Sequence, residues 1–108
     1  MQQLTPHQLS ALLDDTPPEQ RPLLLDVREP WEFAICRIEG SRLLPMRQIP
    51  ASLDSLERDR PLVVICHHGI RSEQVALYLD HQGFTAVHNL RGGVDRWARD
   101  VDPHMATY

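Results

Sequence analysis

Leu62-Val63-Val64-Ile65 is the stretch that most restricts what this chain can become. It is apolar at every position, is preceded by Pro61 and gives way to Cys66 and a polar, glycine-containing segment. A strand with one wet face alternates apolar and polar side chains. A strand that is apolar throughout must be covered on both faces, as in parallel sheets flanked by helices. Leu23-Leu24-Leu25-Asp26-Val27 reads the same way, and Ala86-Val87-His88-Asn89-Leu90 and the short Leu43-Leu44 supply further strands.

Helical patterns fall between these runs. Thr5 is an N-cap, Pro6 takes the first helical position, Gln8 completes a capping box, and Leu9, Leu12 and Leu13 make an apolar face that Thr16-Pro17-Pro18 ends. Trp31, Ala34, Ile35 and Ile38 predict a short helix after Pro30, and a helical segment is expected from Pro50 to Leu56. A longer helix is predicted from about Ser72 to Gln82, with Val75, Ala76 and Leu79 inward and Gly83 closing it. Val94, Trp97, Ala98 and Val101 keep the spacing of an amphipathic last helix. Strand–helix alternation implies crossover connections. The expectation is one α/β domain over residues 1–108: three layers, with a mainly parallel sheet of about five strands between helices. In such sheets function gathers at the carboxyl ends of the strands. Asp26 and Arg28 follow one strand end, and Cys66 follows another.

Composition narrows the chemistry. All eleven basic residues are arginine, so Schiff-base, pyridoxal-phosphate and Walker-A chemistry, which need lysine, are excluded. A net charge of -4 argues against a nucleic-acid track. No apolar run approaches the roughly 20 residues of a membrane span. There is no basic leader followed by an apolar stretch, and two cysteines make no disulfide framework. The expectation is a reducing, cytoplasmic setting with Cys36 and Cys66 as thiols, and no cofactor is implied.

Cys66-His67-His68-Gly69-Ile70-Arg71-Ser72 joins the buried strand to a helix. Unpaired N–H groups at a helix start favour an anion, and the same field stabilises a thiolate. Gly69 lets the backbone curl so that N–H groups converge, and Arg71 adds a permanent positive charge. A nucleophilic Cys66 in an anion cradle is the chemical reading; a small buried hydrophobe at a strand end is the bland one.

Taken in order, four stretches resemble the single-domain rhodanese family, the thiosulfate sulfurtransferase-like proteins. They are Leu24 to Phe33 with Asp-Val-Arg and Glu-Phe, Ile38-Glu39-Gly40-Ser41 with Pro45, Cys66 to Ser72, and Leu90 to Trp97 with Gly-Gly-x-x-x-Trp. Two departures stand out: Cys36-Arg37 where the family usually has Gly-His, and His67 where many members carry arginine. The tail from Val101 to Tyr108 is similar to tails of rhodanese domains fused to adenylyltransferases of sulfur-carrier pathways, which hints at sulfur relay.

The resemblance implies sulfur transfer through a Cys66 persulfide, from thiosulfate or another small sulfane donor to a thiol or protein acceptor. It implies donor binding by residues 67–72, that is His67, His68, Gly69, Ile70, Arg71 and Ser72, with Arg71 on the oxyanion end. Asp26 and Arg28 would form an ion pair that orients the Cys66 loop, or cap local turns. The rivals are a related phosphatase, a non-catalytic or sulfur-relay rhodanese module acting through protein contacts, and zinc binding by Cys66, His67, His68 and Cys36. The phosphatases resemble Cys-x5-Arg, whereas this loop is Cys66-x4-Arg71, one residue shorter. Adjacent residues rarely point at one ion, so no metal site is assigned. His67 and His68 either touch the bound anion or acceptor or face solvent. Cys36 is a core thiol, a resolving thiol or a second sulfur carrier.

Overall fold

The computed structural model describes residues 1–108. Five strands form one sheet: β1 (Gln2–Leu4), β2 (Leu23–Asp26), β3 (Arg42–Leu43), β4 (Leu62–Ile65) and β5 (Val87–Leu90). Their order is β1-β5-β4-β2-β3, and every pairing is parallel. The helices are α1 (Pro6–Asp15), α2 (Pro30–Ile35), α3 (Ile70–His81) and α4 (Gly93–Asp100). This is the α/β architecture expected from the apolar runs.

The central strand explains the sequence pattern that announced it. Leu62, Val64 and Cys66 pack on one face with Val75, Ala76 and Leu79 of α3, joined by Leu25, Ile49, Phe84 and Val87. Val63 and Ile65 pack on the other with Leu9 of α1 and Val94 and Trp97 of α4, joined by Leu24 and Leu90. Successive side chains point to opposite faces, so burial on both sides requires an unbroken apolar run. Each of these leucine, isoleucine and valine side chains contributes roughly 1.5–3 kcal/mol when fully removed from water.

The Thr5 cap forms as expected. Its hydroxyl accepts the Gln8 N–H at 3.2 Å, and its own N–H reaches Gln8 Oε1 at 2.9 Å. Gly83 takes φ +90 just past the end of α3, a conformation that favours glycine.

The structure differs from these expectations in several places. β1 was not anticipated, because Gln2-Gln3-Leu4 is short and mostly polar, as suits an edge strand. Of the three leucines on α1 only Leu9 is fully buried, and Leu12 is 39% exposed. The helical segment expected from Pro50 does form, as a 3-10 helix over Pro50–Ser55, whereas α3 starts at Ile70, two residues before Ser72. Ile38 and Val101 lie just outside α2 and α4. The predicted apolar face of α2 is the largest error. Trp31 is 61% exposed, and the buried residue is Glu32. That inversion has a chemical cause, described next.

Candidate active site

Cys66 follows β4 directly, so its position is fixed by strands on both sides. The chain then turns through Gly69, at φ +92, into α3. A methyl group at Gly69 would lie 2.8 Å from the Gly92 nitrogen, so the loop also requires glycine for space. The turn folds the loop onto its own sulfur. Cys66 Sγ accepts the Gly69 N–H at 3.1 Å and the Ser72 N–H at 3.4 Å, and the thiol donates to Ser72 Oγ at 3.2 Å. Cys66 is 1% exposed. Backbone donors from the turn and the first turn of α3 therefore converge on one sulfur. Such an arrangement stabilises negative charge there, at low dielectric and without reorganisation.

The loop is held from outside by α4 and β5. Val94 N–H donates to the Cys66 carbonyl at 2.9 Å and Asp95 N–H to the His67 carbonyl at 3.0 Å. With these carbonyls turned outward to α4, the Gly69 and Ser72 N–H groups turn inward to sulfur. Gly93, at φ +61, makes this approach possible; a side chain there would overlap both carbonyl oxygens. Asn89 of β5 accepts the Ser72 hydroxyl at Oδ1. Its Nδ2 donates to the Gly69 carbonyl at 3.2 Å and to Gln3 Oε1 of β1 at 2.8 Å. Buried polar groups are stable only when paired, and this set is paired throughout.

Arg71 is paired with Glu32. Its Nη1 and Nη2 donate to Glu32 Oε1 and Oε2, both at 2.8 Å, so its positive charge is shared with a buried carboxylate. Glu32 also accepts the Glu29 N–H at 3.0 Å and the Tyr108 hydroxyl at 2.7 Å. The Arg71 guanidinium, aided by those two donors, outweighs burial and holds the Glu32 carboxyl at about 2. This is why α2 turns Glu32 inward and leaves Trp31 outside.

Asp26 and Arg28 do form an ion pair, with both fully buried. Arg28 Nη2 donates to Asp26 Oδ2 at 2.7 Å and Nε to Oδ1 at 2.9 Å. The pair's direct contacts are with α2 rather than with the Cys66 loop. Arg28 donates to the carbonyls of Cys36 at 2.6 Å and Glu32 at 3.3 Å, satisfying acceptors at the end of α2. Its Nη1 reaches the Tyr108 hydroxyl at 2.9 Å and lies 3.7 Å from Cys36 Sγ. Cys36 is a half-buried free thiol.

The two loop histidines part company. The His67 ring stacks on Tyr108, with centroids 3.9 Å apart and planes 11° from parallel. Burial, and then neighbouring His68, lowers its proton affinity. His68 is mostly exposed, and its Nδ1 lies 3.8 Å from Asp95 Oδ2. Ligand atoms of His67, His68 and Asp95 lie within 4.8 Å of one another, whereas the Cys66 thiol turns inward to Ser72. Asp95 Oδ2 is already engaged by Arg99 at 2.9 Å. Ile70 is 69% exposed at the loop's outer edge. Beside Arg71 opens a cleft of about 440 Å³ lined by Val27, Glu29, Met46, Arg47 and Pro50.

Sequence reasoning missed Glu32, Asn89 and Tyr108. Asn89 carried a readable signal, a polar residue inside an apolar strand run. Glu32 lay within a quoted motif but had no assigned partner. Tyr108 fell within the quoted Val101–Tyr108 tail but had no assigned partner, because its hydroxyl's partners lie 76 and 80 residues away in sequence.

Comparison with known proteins places these features. The model of the "Rhodanese-like domain" family matches residues 5–100. A sulfurtransferase of Allochromatium vinosum is 42% identical over 98 residues, 91% of this chain and 89% of that protein. A thiosulfate sulfurtransferase GlpE of Stutzerimonas stutzeri is 39% identical, covering 75% of this chain and 81% of its own length. Among solved structures, a rhodanese-like domain protein of Staphylococcus aureus superposes with a TM-score of 0.83 at 29% identity, over 100% of this chain and 99% of that one.

Proposed function

This chain belongs to the rhodanese-like domain family and is a sulfurtransferase, and from that premise we propose that Cys66 carries the transferred sulfur as a persulfide. The observation that carries the assignment is the convergence of the Gly69 and Ser72 N–H groups on Cys66 Sγ. The donor is thiosulfate, as the name of the Stutzerimonas relative has it, and the acceptor is a thiol.

The thiol first loses its proton to solvent. The thiolate attacks the outer sulfur of thiosulfate; an S–S bond forms to Cys66, the S–S bond of the donor breaks, and sulfite leaves with the electron pair. The charge then rests on the outer sulfur of the persulfide, where the same backbone N–H groups stabilise it. An acceptor thiolate attacks that outer sulfur, carries it away as a new persulfide and returns Cys66 to the thiolate. The rim charge of Arg71, moderated by Glu32, meets the donor's oxyanion end. Both cysteines are free thiols, as suits a reducing cytoplasm, and no helix is long and apolar enough to cross a membrane.

The test is intact mass. Thiosulfate adds one sulfur atom to the wild type, and an added thiol removes it. Cys66→Ser gains nothing and shows no turnover; retained thiosulfate turnover in that variant overturns the assignment.

A further inference from the structure

Tyr108 is the point where the segment after α4 returns to the site, and it touches the Cys66 loop's surroundings at both ends. At one end its ring stacks on His67, the residue after Cys66, at 3.9 Å. Toward the other end its hydroxyl donates to Glu32 Oε2 at 2.7 Å, and Glu32 grips Arg71 through two bonds of 2.8 Å. The hydroxyl is itself oriented, because Arg28 Nη1 donates to it at 2.9 Å. Since Arg28 is always charged and is fixed by Asp26, the phenol proton is directed to Glu32 and nowhere else. Trp31 closes the outer side, its ring edge-on to Tyr108 at 5.8 Å and 73°. Burial first, and the Glu32 contact with it, pushes the phenol up to about 12, so it keeps this proton throughout the neutral range.

These contacts make one line of hydrogen bonds, Asp26–Arg28–Tyr108–Glu32–Arg71, running from the end of β2 to the first turn of α3. Without the hydroxyl, Glu32 loses one of four donors and is less firmly oriented toward Arg71. Without the ring, His67 loses the surface against which it lies. Through Tyr108 the segment after α4 thus forms part of the site's wall.

We propose that Tyr108 is a positioning residue for sulfur transfer. Its hydroxyl sets the placement of Arg71 through Glu32, and its ring steadies the Cys66 loop through His67. The proposal rests on the Cys66 persulfide reading, so wild-type loading by thiosulfate is measured first; failure to load sinks that reading and this proposal with it, whereas the variant kinetics below test this proposal alone.

With loading established, thiosulfate is varied against dithiothreitol as acceptor in Tyr108→Phe and Tyr108→Ala. Tyr108→Phe keeps the ring and loses the hydroxyl; its KM for thiosulfate rises about 3- to 10-fold while kcat stays within about two-fold. Tyr108→Ala shows the same KM rise and, in addition, a fall in kcat of about ten-fold that phenylalanine restores. Thermal unfolding of each variant is followed in parallel, and the Phe comparison stands alone if the Ala variant does not fold. Wild-type kinetics in Tyr108→Phe overturns the proposal. So does an equal loss of kcat in both variants that tracks the unfolded fraction, because that is a structural role only.

Discussion

At the scale of single residues, the site depends as much on where a side chain is missing as on where one is present. Gly93 lies against the carbonyls of Cys66 and His67, and the next two N–H groups of α4 bind those carbonyls. An alanine at 93 adds left-handed strain and pushes α4 off the loop. Gly93→Ala is therefore expected to lose at least about 2 kcal/mol of stability and to load sulfur more slowly than wild type. Denaturant unfolding checks the first effect and time-resolved intact mass the second. Gly69 acts by the same logic from inside the loop. The N–H donors gathered on Cys66 Sγ come from backbone, so the absence of lysine takes nothing from that arrangement.

At the scale of elements, α2 shows how a polar bond overrules an apolar pattern. Glu32 has its carboxyl held at about 2, against an ordinary value of 4.5. Its folded-state value is depressed, so the stability it lends is present above about pH 4.5 and drains away as pH falls toward 2. That difference is worth on the order of 3 kcal/mol. Denaturant unfolding at a series of pH values should show this loss in the wild type, while Glu32→Gln, less stable at neutral pH, shows no such step. The same helix marks the limit of what was legible. β2, β4, β5 and α4 were readable because burial on both faces, or on one stripe, dictates their composition. The Cys66 loop was readable because strand end, glycine and helix start are adjacent in sequence. Edge strand β1 lacks an apolar pattern, since one of its sides meets water. The orientation of α2 depended on Arg71, 39 residues away, and Tyr108 on a return of the chain that no local spacing encodes. What is local was legible, and what is set by distant polar partners was not.

At the scale of the whole molecule, one sheet separates two apolar layers. Leu79 belongs to the layer under α3 and Leu9 to the layer under α1 and α4, and both are fully buried. Each alanine substitution is expected to cost about 2–5 kcal/mol. Because the sheet lies between them and they share no cluster, the double variant should equal the sum within about 0.5 kcal/mol. A coupling well beyond that, measured by denaturant unfolding, would mean that the sheet relays strain between layers.

The all-parallel sheet has a practical side. Every strand runs the same way, so Asp26, Cys66 and the β5–α4 turn open at one end of the sheet. The segments leading into the strands collect at the opposite end, where Thr85 N–H meets the Arg58 carbonyl and Arg60 reaches the carbonyl of Arg21. The molecule thus has a handle and a working tip. Tethering it to a support, or splicing in a reporter, through the exposed residues 57–61 leaves the Cys66 end facing outward.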